Sequence, residues 1–205
     1  SFYLDTRGLR QWALEHLEGK RVLNTFAYTG SLGVAALVAG ARQVVQLDLN
    51  RRFLDLAKRS YRLNSREPNP ADFLVGDFFP WVGRLKRQPE LFDCVFLDPP
   101  FFSTTARGRV NQVDESHRLI NKVRPLIAHR GWLAVVNNSL FTSGMDYMHT
   151  LEALCADGYL SIEALVPVPE DVTGTAETCI TTPPVDPAPF NHPTKIAILR
   201  IKKIH

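Results

Sequence analysis

The chain has 205 residues, 45% of them hydrophobic and 22% charged, which is one domain of ordinary size with enough apolar residues for a core. Its formal net charge of +3 permits an anionic partner without demanding one. Cys94, Cys155 and Cys179 lack metal-ligand or disulfide spacing, and no apolar run approaches the ~18 residues of a membrane helix, so neither a metal, a disulfide framework nor a membrane span is expected and a reducing cytoplasm is the expected compartment.

Ser1-Phe2-Tyr3-Leu4-Asp5 alternates like a strand from the first residue, and Phe2 to Leu4 is read as a short one. This start fits the C-terminal part of a longer protein as well as a trimmed terminus, and no signal peptide is expected. Asp5-Thr6-Arg7 leads into an amphipathic helix over Leu9 to Leu17, with Leu9, Trp12, Ala13 and Leu17 on one face and Gly19 as its stop.

Val22, Leu23, Phe26 and Ala27 form a buried strand. Tyr28-Thr29-Gly30-Ser31-Leu32-Gly33 then turns the chain into a helix over Val34 to Ala39, and Val44-Val45-Gln46-Leu47 is a second strand ending at Asp48. This is a nucleotide-binding βαβ half: glycine lets backbone approach a ligand, the helix start offers free N–H groups, and a carboxylate about 20 residues on can hold both ribose hydroxyls. A dinucleotide fingerprint needs glycines near Thr25, Ala27 and Gly30, and only Gly30 is present. The absence of a pyrophosphate cradle favours a nucleoside-type ligand, and S-adenosylmethionine fits. An ordinary βαβ unit in which Gly30 merely starts a helix is the alternative.

Asn50 caps a predicted helix over Arg51 to Leu63, with Phe53, Leu54, Ala57 and Tyr61 inward. Arg51, Arg52, Lys58, Arg59, Arg62 and Arg66 face out, as a phosphate-backbone contact or as a solvated face. After a turn over Asn64 to Pro70, Ala71 to Val75 is a third strand, followed by Gly76-Asp77-Phe78-Phe79. Asp77 sits where open α/β sheets bind ligands; it can accept from an adenine amino group with Phe78 packed on the ring, or be a turn carboxylate beside a core phenylalanine.

Leu91 to Leu97 is a fourth strand, ending in Asp98-Pro99-Pro100-Phe101-Phe102. The two prolines cannot extend the sheet and fix a rigid turn, pointing Asp98 and the backbone carbonyls at the ligand end, with an aromatic placed to stack on a planar group. Ser103 to Asn111, with Arg107, Gly108 and Arg109, reads as a mobile loop beside the site. A helix starts at Asp114 or Ser116 and runs to His129; His117 and His129 read as surface residues. Trp132 to Val136 is a fifth strand ending in Asn137-Asn138-Ser139, whose amides suit base edges or cap the next turn. A helix over Met145 to Cys155, a strand over Tyr159 to Val168, a proline-rich connection from Pro169 to Pro193 and a last strand over Lys195 to Ile201 complete the chain, the final two strands as an antiparallel pair at a sheet edge.

By its Asp98-Pro99-Pro100-Phe101 turn the chain resembles the class I S-adenosylmethionine-dependent methyltransferases, and among them the ribosomal RNA large-subunit group that includes 5-methylcytosine I-type enzymes and the guanine-N7 K-type domain. Phe2-Tyr3-Leu4-Asp5-Thr6-Arg7, Val22 to Gly30, Val45-Gln46-Leu47-Asp48 and Asp77 carry the resemblance in order, which extends to about Leu140. It implies a Rossmann-like α/β fold with a seven-stranded, mostly parallel sheet, helices on both faces and the last strand antiparallel. It also implies S-adenosylmethionine across Phe26, Ala27, Tyr28, Thr29 and Gly30, with Asp48 and Leu49 at its ribose, Asp77 and Phe78 near its adenine, Asp98 close by, and Asp5 and Arg7 either close to the cofactor or bracing the loop over it.

The substrate implied is a base of RNA. Making 5-methylcytosine needs a thiolate, which the similar I-type enzymes carry just after the fifth strand, where this chain has Asn137-Asn138-Ser139; Cys94 lies in a buried strand, Cys155 in a helix, and Cys179 in the long connection stays open. Guanine N7 carries no proton and needs only positioning. Asp98 would orient the base in the rigid Pro99-Pro100 turn, Phe101 or Phe102 would stack on it, Asn137 or Asn138 would read its edge, and Arg107 would lie on the substrate side of a flipped or unpaired nucleotide. The competing readings are methylation of an exocyclic amine or a protein glutamine amide, and a non-catalytic domain of the same fold that binds RNA or a partner.

Overall fold

The computed structural model describes residues 2–113, 115–174 and 181–202; Asp114 as a helix start and Cys179 lie outside them. The elements are α1 (Arg7–His16), β1 (Arg21–Thr25), α2 (Ser31–Val38), β2 (Gln43–Asp48), α3 (Arg51–Leu63), β3 (Phe73–Val75), α4 (Phe78–Leu85), β4 (Phe92–Leu97), β5 (Phe102–Thr105), β6 (Gly108–Asn111), α5 (Ser116–Val123), β7 (Ile127–Asn137), α6 (Gly144–Cys155), β8 (Leu160–Leu165), α7 (Glu170–Thr173) and β9 (Lys195–Ile201). Seven strands form one sheet in the order β3-β2-β1-β4-β7-β9-β8, and β5 and β6 form a separate hairpin. β9 runs antiparallel to both of its neighbours, while the pairings among β1, β2, β3, β4 and β7 are parallel.

Successive strand residues point to opposite faces, and the core divides accordingly. Leu23 and Val95 pack on one face with α4, α5 and α6, whereas Val22, Cys94 and Phe96 pack on the other with α1 and α2. A third cluster, Ala27, Leu54, Ala57, Tyr61 and Phe73, seats α3 beside them. The expected seven-stranded sheet and its antiparallel last strand are both present.

Several local expectations are corrected. Phe2 to Leu4 is not a strand: it is exposed, and the Arg7 N–H bonds back to the Leu4 carbonyl, turning the chain into α1. β3 is shorter than Ala71 to Val75 because Pro70 opens a 3₁₀ turn, which Asn69 caps by accepting from the Ala71 N–H. Ser103 to Asn111 is mostly paired strand rather than loop, and an unanticipated helix, α4, follows Asp77. α5 stops at Val123, short of His129, because Arg124-Pro125-Leu126 tightens into 3₁₀ geometry and β7 already starts at Ile127.

Beneath the ligand end of the sheet lies a buried polar knot. Gln46 accepts from Asn24 Nδ2 at 2.8 Å, and its own amide donates to the Gly30 carbonyl and to the Tyr61 hydroxyl, each at 3.3 Å. A Cβ on Gly33 would lie 2.1 Å from Gln46 Nε2, so glycine leaves room for the amide. Gly33→Ala must displace a side chain held by these bonds and is expected to cost about 1–3 kcal/mol. Thermal unfolding checks this, with a midpoint lowered by roughly 2–4 °C per kcal/mol for a domain of this size.

Candidate active site

The strand order reverses between β1 and β4, and open α/β sheets bind ligands outside the strand ends at such a point. A pocket of about 440 Å³ lies there. The loop after β1 forms one wall with Phe26, Ala27 and Tyr28; Asp48 and Leu49 follow β2; Asp77 and Phe78 follow β3. Asp98, Pro99 and Pro100 line it after β4, Asn138 after β7, and Asp5 from the segment before α1.

The β1 loop owes its shape to strained backbone. Phe26 and Tyr28 sit at φ 54° and 51°, a left-handed region costly for side-chain-bearing residues, and Gly30 follows at 79°. The curl directs the Tyr28 N–H at Asp48 Oδ2, 2.8 Å away, while Asp48 Oδ1 accepts from the Asn50 N–H at 2.8 Å. Burial raises the Asp48 pKa, and these two N–H groups oppose the rise. Gly30 does not line the pocket; a Cβ there would lie 2.5 Å from Ala57 Cβ, so its role is the turn and the packing of α3.

Aromatic rings make up much of the remaining wall. Phe26 stacks on Phe78 at 4.6 Å, Phe53 packs edge-on to Tyr28 at 4.5 Å, and Tyr3 lies 5.6 Å from Tyr28. Phe53, read as core, is a pocket residue. Asp77 caps α4 by accepting from the Phe79 N–H at 2.9 Å, leaving its second oxygen buried without a partner.

Asp5 Oδ1 and Asn138 Oδ1 are the other unpartnered buried side-chain oxygens among the described residues, so all three lie on residues lining this pocket. Asp5 Oδ2 accepts from Thr194 Oγ1 at 2.7 Å. Burial, with the Asp5 charge nearby, pushes the Asp98 carboxyl up to about 7. An arrangement rich in acceptors and carboxylates, with apolar faces, suits an adenosine bearing amino, hydroxyl and cationic groups. S-adenosylmethionine therefore fits these residues.

Other expected residues stand apart from the pocket. Arg7 is drawn into a two-pronged pair with Asp171 on α7, one prong at 2.8 Å, and Thr29 is buried outside the lining. Asn137 is buried and its amide is spent internally, donating to the Gln112 carbonyl at 3.2 Å and accepting from the Ser139 N–H at 2.9 Å. Phe101 and Phe102 are exposed, Phe101 lying 5.9 Å from the exposed Phe141, and Arg107 lies at the exposed turn of the hairpin. That hairpin is itself a wall: Ser103, Thr105, Gly108 and Val110 line the pocket. Sequence reading missed Tyr3, Thr194 and Gln112.

Among the described residues, no cluster of His, Cys, Asp or Glu could hold a metal, and no helix is long and apolar enough to cross a membrane. Cys94 is buried in β4, where desolvation raises its thiol pKa, and Cys155 lies in α6.

The model of an S-adenosylmethionine-dependent methyltransferase family matches residues 1–182. The ribosomal RNA large subunit methyltransferase I of Aeromonas hydrophila is 43% identical over 102 residues, 50% of this chain and 26% of that protein. The ribosomal RNA large subunit methyltransferase K/L of Marinobacter nauticus is 34% identical over 138 residues, 66% of this chain and 19% of that protein. The chain thus spans well under half the length of these relatives. The solved structure of SMU.776 complexed with SAH superimposes with a TM-score of 0.82 at 21% identity, covering 98% of this chain and 50% of that one, a likeness of fold. The match over residues 1–182, on a sheet whose switch point carries this pocket, places the chain in the S-adenosylmethionine-dependent methyltransferase family.

Proposed function

We propose that this domain transfers a methyl group to a base of ribosomal RNA, with guanine N7 favoured over cytosine C5. The observation that carries the reading is the set of unpartnered acceptors on Asp5, Asp77 and Asn138 in a pocket with no described thiol on its lining. When bound, S-adenosylmethionine supplies an electrophilic methyl on a sulfonium. Asp48 holds the ribose hydroxyls with the lone pairs left beyond its two backbone bonds. Asp77 Oδ2 accepts from the adenine amino group, with Phe78 against the ring. Asp98 and Asp5 face the cationic end.

Cytosine C5 is a poor nucleophile and needs a thiolate at C6. Cys94 is buried in a strand and held protonated by desolvation, and Cys155 does not line the pocket; Cys179 lies outside the described residues. Guanine N7 presents a lone pair and no proton, so the protein has only to position it, and positioning can contribute about 7–11 kcal/mol. Asn138 Oδ1 is free to accept from a base edge, which Asn137 is not. The large-subunit names of the two relatives support RNA as the acceptor class.

The test is transfer of labelled methyl to unmodified ribosomal RNA followed by nucleoside analysis. Label is expected in 7-methylguanosine; label in 5-methylcytidine would reverse the choice of base, and label only in protein would overturn RNA as the substrate. Asp48→Ala is expected to weaken S-adenosylhomocysteine binding by roughly 10- to 100-fold, the scale of hydrogen bonds to a charged group. Calorimetry reads this, and retained affinity would remove Asp48 from the site. Only ionised Asp98 attracts a cation, so S-adenosylmethionine affinity should fall as pH is lowered through about 7. Asp98→Asn should flatten that dependence, and an unchanged profile would dissociate Asp98 from the cofactor.

A further inference from the structure

We infer that Gln112 is a positioning residue that locks the Asp98-Pro99-Pro100 turn and the Asn137-Asn138 turn into one rigid unit, and so sets the acceptor against the methyl donor. The inference rests on the proposed reading of the pocket. Gln112 lies just past β6, is 1% exposed, and bonds through every polar group it has. Its side-chain amide donates to the Pro99 carbonyl, while its Oε1 accepts from the Asn138 N–H at 2.8 Å. Its backbone N–H donates to the Phe101 carbonyl at 3.1 Å, and its backbone carbonyl accepts from Asn137 Nδ2 at 3.2 Å.

This arrangement solves a definite problem. β4 and β7 are paired only as far as Leu97 and Val135, so no ladder joins Asp98-Pro99-Pro100 to Val136 and Asn137, which stay paired with β9 alone. Pro99 and Pro100 have no N–H with which to build one. A side-chain amide offers one turn a donor and the other an acceptor from a single planar group. The Asn137–Ser139 segment is held from its other side by Lys195, whose Nζ donates to the Ser139 carbonyl at 2.8 Å and the Pro193 carbonyl at 2.6 Å. Gln112 is therefore the link to the Pro99 side. Asp48 and Asp77, at the ribose and adenine end, make no bond to it.

Replacing Gln112 should separate binding of the cofactor from transfer of its methyl group. Gln112→Met keeps the length and removes both side-chain bonds; Gln112→Glu keeps the shape but sets a carboxylate oxygen against the Pro99 carbonyl. The full-length protein is assayed at saturating S-adenosylmethionine on unmodified ribosomal RNA and total cell protein in parallel, with S-adenosylhomocysteine affinity and thermal midpoint measured for each variant. Expected is a fall in kcat of roughly 10- to 100-fold, the scale of small misplacements at a reacting centre. S-adenosylhomocysteine affinity should stay within about threefold of wild type, well under the tenfold that ~1.4 kcal/mol would give. For Gln112→Glu, activity relative to wild type should rise as pH is lowered, because a protonated carboxyl restores donor and acceptor.

Unchanged kcat in Gln112→Met would overturn the inference. So would a parallel loss of affinity, activity and thermal midpoint, which is what a merely structural residue gives. Wild-type label in protein rather than RNA would overturn the RNA reading while leaving the Gln112 comparison to be decided on the protein acceptor. No wild-type label in either fraction would overturn both.

Discussion

Two bulky residues held in left-handed backbone geometry, Phe26 and Tyr28, determine the ligand end of this fold. Each costs of order 1–3 kcal/mol unless surrounding structure over-determines it. Here the surroundings do: Ala27 between them bonds to the Leu47 carbonyl at 2.9 Å, the Tyr28 N–H is taken by Asp48, and the Gly30 N–H returns to the Ala27 carbonyl at 2.7 Å. The strain lays Phe26 on Phe78 and Tyr28 on Phe53. One loop thereby fixes a carboxylate, two ring contacts and the start of α2.

The polar groups that support the site are arranged in the opposite way to those that face the ligand. Gln46, Asn137, Gln112 and Lys195 are buried and matched within the protein, so each specifies one arrangement of the chain ends. Asp5, Asp77 and Asn138 are left with an unmatched oxygen. Leaving a buried acceptor unmatched is costly to a folded protein, and a ligand that supplies the missing donor recovers that cost. Burial lowers the Lys195 pKa to about 8, so even this supporting contact was placed at some electrostatic expense.

What could be read from the sequence divides by how local the signal is. Strands β1, β2 and β4, the cap at Asn50 and the ligand-end aspartates were legible because apolar runs, capping residues and strand-end carboxylates are written in neighbouring positions. α4 was missed although Phe78, Val82 and Leu85 recur on its buried face, because aromatic residues and Pro80 crowd its first turn. The hairpin was missed because Ser103, Thr104 and Thr105 are polar and resemble a loop, while Gly108 is glycine because Phe79 presses on it: a Cβ there would lie 2.3 Å from that ring. Asn137 and Asn138 were indistinguishable in sequence; only the path of β7 turns the first inward to Gln112 and leaves the second facing the pocket. Gln112 carries no motif, since its importance comes from two turns that meet in space.

The wall that holds Asp5 is assembled from segments far apart in sequence. Thr194, just before β9, donates to Asp5, and Asp171 pairs with Arg7, contacts that span 189 and 164 residues. β9 is also the strand that inserts between β7 and β8. On a ribosome, the parallel half of the sheet can emerge and pair long before Thr194 does, yet the Asp5 side of the pocket has no partner to close on until then. The Asp5 wall of the pocket can therefore close only after Thr194 has been made, later than the strands that lead to Asp48, Asp77 and Asp98.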